Sequence, residues 1–132
     1  MVVSAFNQQT DILESKFEGD LKIKDVLAYI ESIKNNKTYP RNLKIITDTT
    51  QAHFNLSISD IRIIAIENDK TLEEYNSITE AIIVNEPNST ALSMFYKGLE
   101  RNKKFKFDLF STKEAALKWI NQIKILGNLY RS

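Results

Sequence analysis

Two short apolar runs rich in β-branched residues, Leu43-Lys-Ile-Ile-Thr47 and Ala81-Ile-Ile-Val84, constrain this chain more than any other feature. Each has the length and composition of a strand covered on both faces, and each is followed by a segment of helical period. Such alternation leaves few options for a chain of this size. It predicts an α/β domain with a mostly parallel sheet, because parallel neighbours need a crossover long enough to hold a helix.

The remaining elements fit this order. Ile12, Leu13 and Phe17 alternate with charged residues from Thr10 to Glu18, which reads as a half-exposed edge strand, ended by Gly19-Asp20 and able to run antiparallel. Ile23, Val26, Leu27, Ile30 and Ile33 recur at helical spacing over residues 22–36. Asn35 to Pro40 forms a turn, and the central strand Leu43–Thr47 follows, with Asp48 at its end and a loop to Leu56. Ser57 or Ser59 caps the next helix, with Asp60 complementing its dipole. The density of Ile58, Ile61, Ile63, Ile64 and Ile66 keeps a buried strand open there, but the cap favours a helix. Ile78 to Val84 is the next strand, Asn88 or Ser89 starts a helix carrying Leu92, Phe95, Tyr96 and Leu99, and residues 103–110 return as a strand. Ser111 and Glu114 make a capping box for a last helix with Ala116, Trp119, Ile120 and Ile123 inward. The expected organisation is a flexible N-terminus over residues 1–9, one domain over 10–126, and a frayed tail over 127–132.

A chain of 132 residues buries roughly two thirds of its unfolded surface, so a core forms without staples. Eighteen basic against seventeen acidic residues give no field that would draw the whole molecule to nucleic acid. The absence of cysteine fits a reducing cytoplasm, and no apolar run is long enough to span a bilayer, so a cytoplasmic location is expected.

Little recognisable catalytic chemistry is encoded. His53 beside Asp48 lacks the donors of a metal site, and Gly19, Gly98 and Gly127 stand too far apart to cradle phosphate. Ser57, His53 and Asp48 lack a nucleophile elbow. Lys97, Arg101, Lys103, Lys104 and Lys106 around Phe105 and Phe107 read as a solvated cluster on a strand whose phenylalanines face inward. No enzyme activity, metal or cofactor is therefore expected. What remains is a docking edge at a strand-to-helix junction, comprising Asp48, Thr50, His53, Phe54, Asn55 and Ser59, with Ile63 and Ile66 on the helix after it. Ser57 reads as a helix cap from its own residues. A phosphate added there would meet the positive end of the helix dipole and alter the surface shown to a partner.

The unit Ile45-Ile-Thr-Asp48 to Leu56-Ser57-Ile-Ser59, within the whole β/α order, resembles the STAS fold of the SpoIIAA-like anti-sigma factor antagonists over roughly residues 10–125. Small stand-alone SpoIIAA-like proteins related to Sec14 lipid-binding domains are similar in texture. The resemblance implies a four- to five-stranded, mostly parallel sheet flanked by about four helices. It also implies a non-enzymatic regulatory or protein-binding role, with a kinase-like anti-sigma factor or a second copy of the chain as partner. It places Ser57 near the serine that is phosphorylated in the antagonists, although this chain reads Leu56-Ser57-Ile58-Ser59 where they read Asp-Ser-Ser-Gly. The Sec14 relationship implies an alternative, a carrier or sensor of a small apolar or lipid-like ligand.

Overall fold

A computed structural model describes residues 1–131, with side chains described for residues 1–122. The chain runs through β1 (Val2–Asn7), β2 (Ile12–Leu21), α1 (Ile23–Asn35), β3 (Asn42–Phe54), α2 (Ile58–Leu72), β4 (Ser77–Ile83), α3 (Pro87–Leu99), β5 (Phe105–Phe110) and α4 (Lys113–Arg131). The five strands lie in the order β1-β2-β3-β4-β5, with β1 antiparallel to β2 and the other pairs parallel. Each crossover steps to the next strand in one direction, and a constant right-handed connection then puts α1, α2 and α3 on the same face.

That face holds the larger core. Leu13, Phe17, Ile45, Ile78 and Phe105 of the sheet pack with Tyr29, Ile30 and Ile33 of α1 and with Ile61, Ile64 and Leu72 of α2. On the reverse face Ile12, Ile46, Ala81 and Ile83 meet Ala116 and Ile120 of α4. β3 and β4 are thus covered on both sides, which accounts for their apolar runs.

Several boundaries differ from expectation, each for a physical reason. Within residues 1–9, expected to be flexible, Val2–Asn7 form an edge strand paired from Val2↔Phe17 to Asn7↔Ile12. The hairpin is closed by Asn7, whose Oδ1 accepts from the amides of Gln9 and Thr10 while Asp11 takes a left-handed φ of 59°. β2 is consequently an inner strand, and it continues past Gly19, whose φ of 79° suits glycine, to buried Leu21.

The largest correction concerns β3, which is 13 residues long and takes in Asp48–Phe54, expected to be loop. A bulge hides its periodicity, because the register passes from Lys16↔Asp48 to Glu18↔Gln51, so Thr49 and Thr50 oppose Phe17 alone. Asp48 Oδ1 accepts from the amide and hydroxyl of Thr50, and buried Thr49 donates to the Ile83 carbonyl at 2.7 Å, where β4 has ended. Polar residues that resemble a loop in sequence are the groups that hold the bulge.

Ser57, not Ser59, caps α2: its Oγ accepts from the Asp60 amide at 3.1 Å and Asp60 accepts from the Ser57 amide at 2.9 Å. α3 begins at Pro87, ahead of the expected Asn88 or Ser89, with Glu86 as cap residue. Thr112 replaces Ser111 as the residue capping α4, its Oγ1 accepting from the Ala115 amide. Gly127–Arg131, expected as a frayed tail, belong to α4 by backbone. Ser132 and the inward packing expected of Ile123 lie outside the described residues.

Candidate functional site

A cavity of about 110 Å³ lies between the sheet and the helices of the larger core. Its floor is formed by Ile45 and Thr47 of β3, Ile78, Glu80 and Ile82 of β4, and Phe107 of β5. α1 contributes Tyr29 and Ile30, α2 contributes Ile61, Ile64 and Asn68, and α3 contributes Leu92, Ser93 and Tyr96. The ring of Tyr96 meets that of Phe107 edge-on at 5.1 Å, and Phe17 meets Tyr29 in the same way at 5.0 Å. Most of the wall is apolar.

Glu80 is the exception. It sits in the middle of β4, on the same side as Ile78 and Ile82, so its carboxyl is directed into the cavity, and the residue is half-buried. Thr47 Oγ1 donates to Glu80 Oε2 at 2.6 Å. Burial pushes the Glu80 carboxyl above the ordinary carboxylate range, and the Thr47 bond only partly offsets it.

Behind Thr47 runs a line of hydroxyls. Ser4 of β1 pairs with Ser15 of β2, and Ser15 pairs with Thr47 of β3, so strand register alone places them side by side. Ser4 and Ser15 Oγ lie 3.1 Å apart and Ser15 Oγ and Tyr29 Oη 2.6 Å apart. The row of hydroxyls thus runs from the exposed edge strand to Thr47, which carries the bond to Glu80. On the opposite side Tyr96 and Asn68 both line the cavity, and Asn68 donates to Glu100 Oε2 at 3.4 Å. Burial raises both phenols well above their usual range, with the negative charge of Glu80 the next cause in each case, so they remain neutral at physiological pH.

Of the residues predicted from sequence, Phe54 borders the cavity, at the end of β3. Asp48 and Thr50 are bonded to one another in the bulge, and exposed His53 stands opposite Asp20. Asn55 donates its amide to the Leu21 carbonyl, and Ser59 is exposed in the first turn of α2. Asp48, His53 and Ser57 do not form a relay, since Asp48 is committed to Thr50 and Ser57 to Asp60. Ile63 and Ile66 are 43% and 57% exposed on the outer side of α2, while Ile61 and Ile64 are buried.

Two residues of the basic cluster have structural partners. Lys104 donates to the Leu72 and Tyr75 carbonyls at the end of α2, and Lys97 pairs with Asp108 at 2.8 Å. Phe105 and Phe107 face the larger core, as their alternation predicts. Among the described residues no three of His, Cys, Asp and Glu converge as metal ligands, and no helix is long and apolar enough to cross a membrane.

The sequence carries one signal of the cavity-facing polar residues. Ser77-Ile-Thr-Glu-Ala-Ile-Ile83 carries an acid in the middle of a strand whose neighbours are almost all buried. An ionisable group there needs a reason, and a ligand site supplies one.

Comparison with known structures follows the same architecture. The chain is similar to the crystal structure of an uncharacterized protein of the DUF3478 family with a SpoIIAA-like fold, from Shewanella loihica PV-4. The two share 19% identity at a TM-score of 0.58, over 89% of this chain and 92% of that one. The fold is SpoIIAA-like. The STAS-like arrangement expected from the sequence is therefore present, with five strands and four helices. No family model matches the sequence, and no curated protein matches it either.

Proposed function

We propose that this SpoIIAA-like domain is a non-enzymatic carrier or sensor that takes up a small apolar molecule between its sheet and helices α1, α2 and α3. The observation that carries the reading is the apolar cavity with one acid in its floor. Ordinary cores are packed to crystal-like density and place aliphatic residues at such positions. A pocket that is mostly apolar with a few convergent polar groups is the usual form of a small-molecule site. Native mass spectrometry of freshly purified protein should show a bound small molecule, and a panel of small aromatic and aliphatic probes should raise the melting temperature. Ligand at 100 times its Kd stabilises a protein by about 2.7 kcal/mol, a readily measured shift. Protein that carries no extra mass and melts at the same temperature with every probe would rule the reading out.

A regulatory protein-binding role has a separate observation in its favour. Ile58, Ile63 and Ile66 are exposed on α2, directly after the exposed cap Ser57. On this second reading a cytoplasmic protein partner, such as a kinase-like anti-sigma factor, or a second copy of the chain covers these side chains. Ile63→Lys should then disrupt the assembly in sedimentation while changing stability by less than about 0.5 kcal/mol, because the site is outside the core. A large loss of stability would instead make Ile63 a packing residue.

Ser57→Ala should cost about 1 kcal/mol in urea denaturation through loss of the cap, whereas Ser57→Asp keeps an acceptor and should fold normally. Under a phosphoswitch Ser57→Asp abolishes partner binding, and unchanged affinity would leave Ser57 as a cap alone.

A further inference from the structure

We propose that the occupant of the cavity is a small hydrophobic amine, whose ammonium group pairs with Glu80 while its apolar body lies among Phe17, Phe54, Tyr96 and Phe107. This rests on the cavity being a ligand site, and it goes further by naming the chemistry.

Charge selects among the possible occupants. No lysine, arginine or histidine stands among the described residues lining the cavity, so an ionised Glu80 has no internal counter-ion there. A carboxylate or phosphate ligand would place like charge against it, at a cost in a medium of low dielectric. A ligand with no polar group would be served better by an aliphatic residue in the floor. An ammonium ion supplies the missing charge.

The surroundings favour the ionised form of the site once a cation is present. Thr47 donates to Glu80 Oε2, a position suited to a negatively charged acceptor, and the Ser4, Ser15 and Tyr29 hydroxyls are joined to one another beside it. The aromatic side chains around the cavity can present ring faces, which attract a desolvated cation. Size limits the rest of the molecule. An apolar cavity of about 150 Å³ accommodates benzene, so about 110 Å³ takes a short branched chain as it stands and a single ring only when the helices move outward.

The proton balance is simple. When the ammonium form binds protein whose Glu80 is protonated, the ion pair forms and the carboxyl proton leaves to water, one per ligand. Tyr29 from α1 and Tyr96 from α3 are the other titratable groups facing Glu80, and both stay neutral; α2 presents Asn68 and Thr71. Affinity for an amine should therefore rise with pH while Glu80 of the free protein loses its proton, level off once it is ionised, and fall when the amine loses its charge.

Calorimetric titration of the full chain with benzylamine, benzyl alcohol, toluene and benzoate tests the assignment. Benzylamine should bind about tenfold or more tightly than benzyl alcohol, and should release protons in buffers of different ionisation enthalpy. Glu80→Gln should remove the amine preference while leaving benzyl alcohol binding in place, and the wild-type comparison decides should that variant not fold. Equal or tighter binding of benzyl alcohol, toluene or benzoate would overturn the amine assignment and leave the cavity as an apolar site. Failure of all four probes to bind would overturn both readings.

Discussion

Arg41→Ala is expected to lower the unfolding free energy by about 3 kcal/mol. Arg41 stands just before β3 and ties two chain reversals together. Its Nε and Nη2 donate to the Tyr39 carbonyl, Nη2 also donates to Asn36, and Nη1 reaches the Glu74 carbonyl at 3.0 Å. These carbonyls lie just past the ends of α1 and α2, so the guanidinium serves as a shared cap for both. Its carbon lies 4.1 Å from the ring centroid of buried Tyr75, whose hydroxyl donates to the Ile33 carbonyl at 2.7 Å. Truncation would leave several carbonyls without partners and expose the ring. Arg41→Lys should recover only part of the loss, because an ammonium cannot span three carbonyls in a plane. Urea denaturation of the three proteins provides the comparison, and a loss below about 0.5 kcal/mol for the alanine variant would show that water replaces the network.

Glu80→Leu should act in the opposite direction, stabilising the protein by about 1–3 kcal/mol near neutral pH, since it removes a buried acid from an apolar wall. The gain should depend on pH in a definite sense. Burial raises the Glu80 carboxyl in the folded protein above its ordinary value of 4.5. Across the interval between the two values the folded state holds a proton that the unfolded chain has released, so stability falls as pH rises and levels off above the folded value. Leucine has no such dependence. The advantage of Glu80→Leu should therefore be smaller at about pH 5 than at about pH 8. Glu14, whose bonds from Lys113 and Asn7 hold it below the usual range, titrates in both proteins and cancels in the difference. An equal gap at both pH values would mean that Glu80 ionises freely. A site that lowers stability in this way fits a residue retained for binding.

The layers of the fold were legible because its strongest signals are local. Apolar runs in β3 and β4, the spacing of Ile23 to Ile33, and the Ser57–Asp60 cap each report on a few consecutive residues. The site was far less legible, since it is made by register. Nothing near Ser4 in the sequence points to Ser15, Tyr29, Thr47 or Glu80, yet strand pairing and one helix crossover bring them into a line. The bulge at Thr49 and Thr50 interrupts the alternation of β3, and the docking edge was consequently assigned to a loop. Edge strand β1 was missed because an exposed strand alternates weakly and borrows its order from β2.

The sequential strand order also bears on how the protein can be made. Every strand after the first pairs with the one just synthesised, so the sheet can grow in the order in which the chain leaves the ribosome. Residues that bound the cavity run from Phe17 to Phe107, and all of them precede α4. The cavity can thus close before the last helix covers the reverse face, which separates completion of the pocket from completion of the fold.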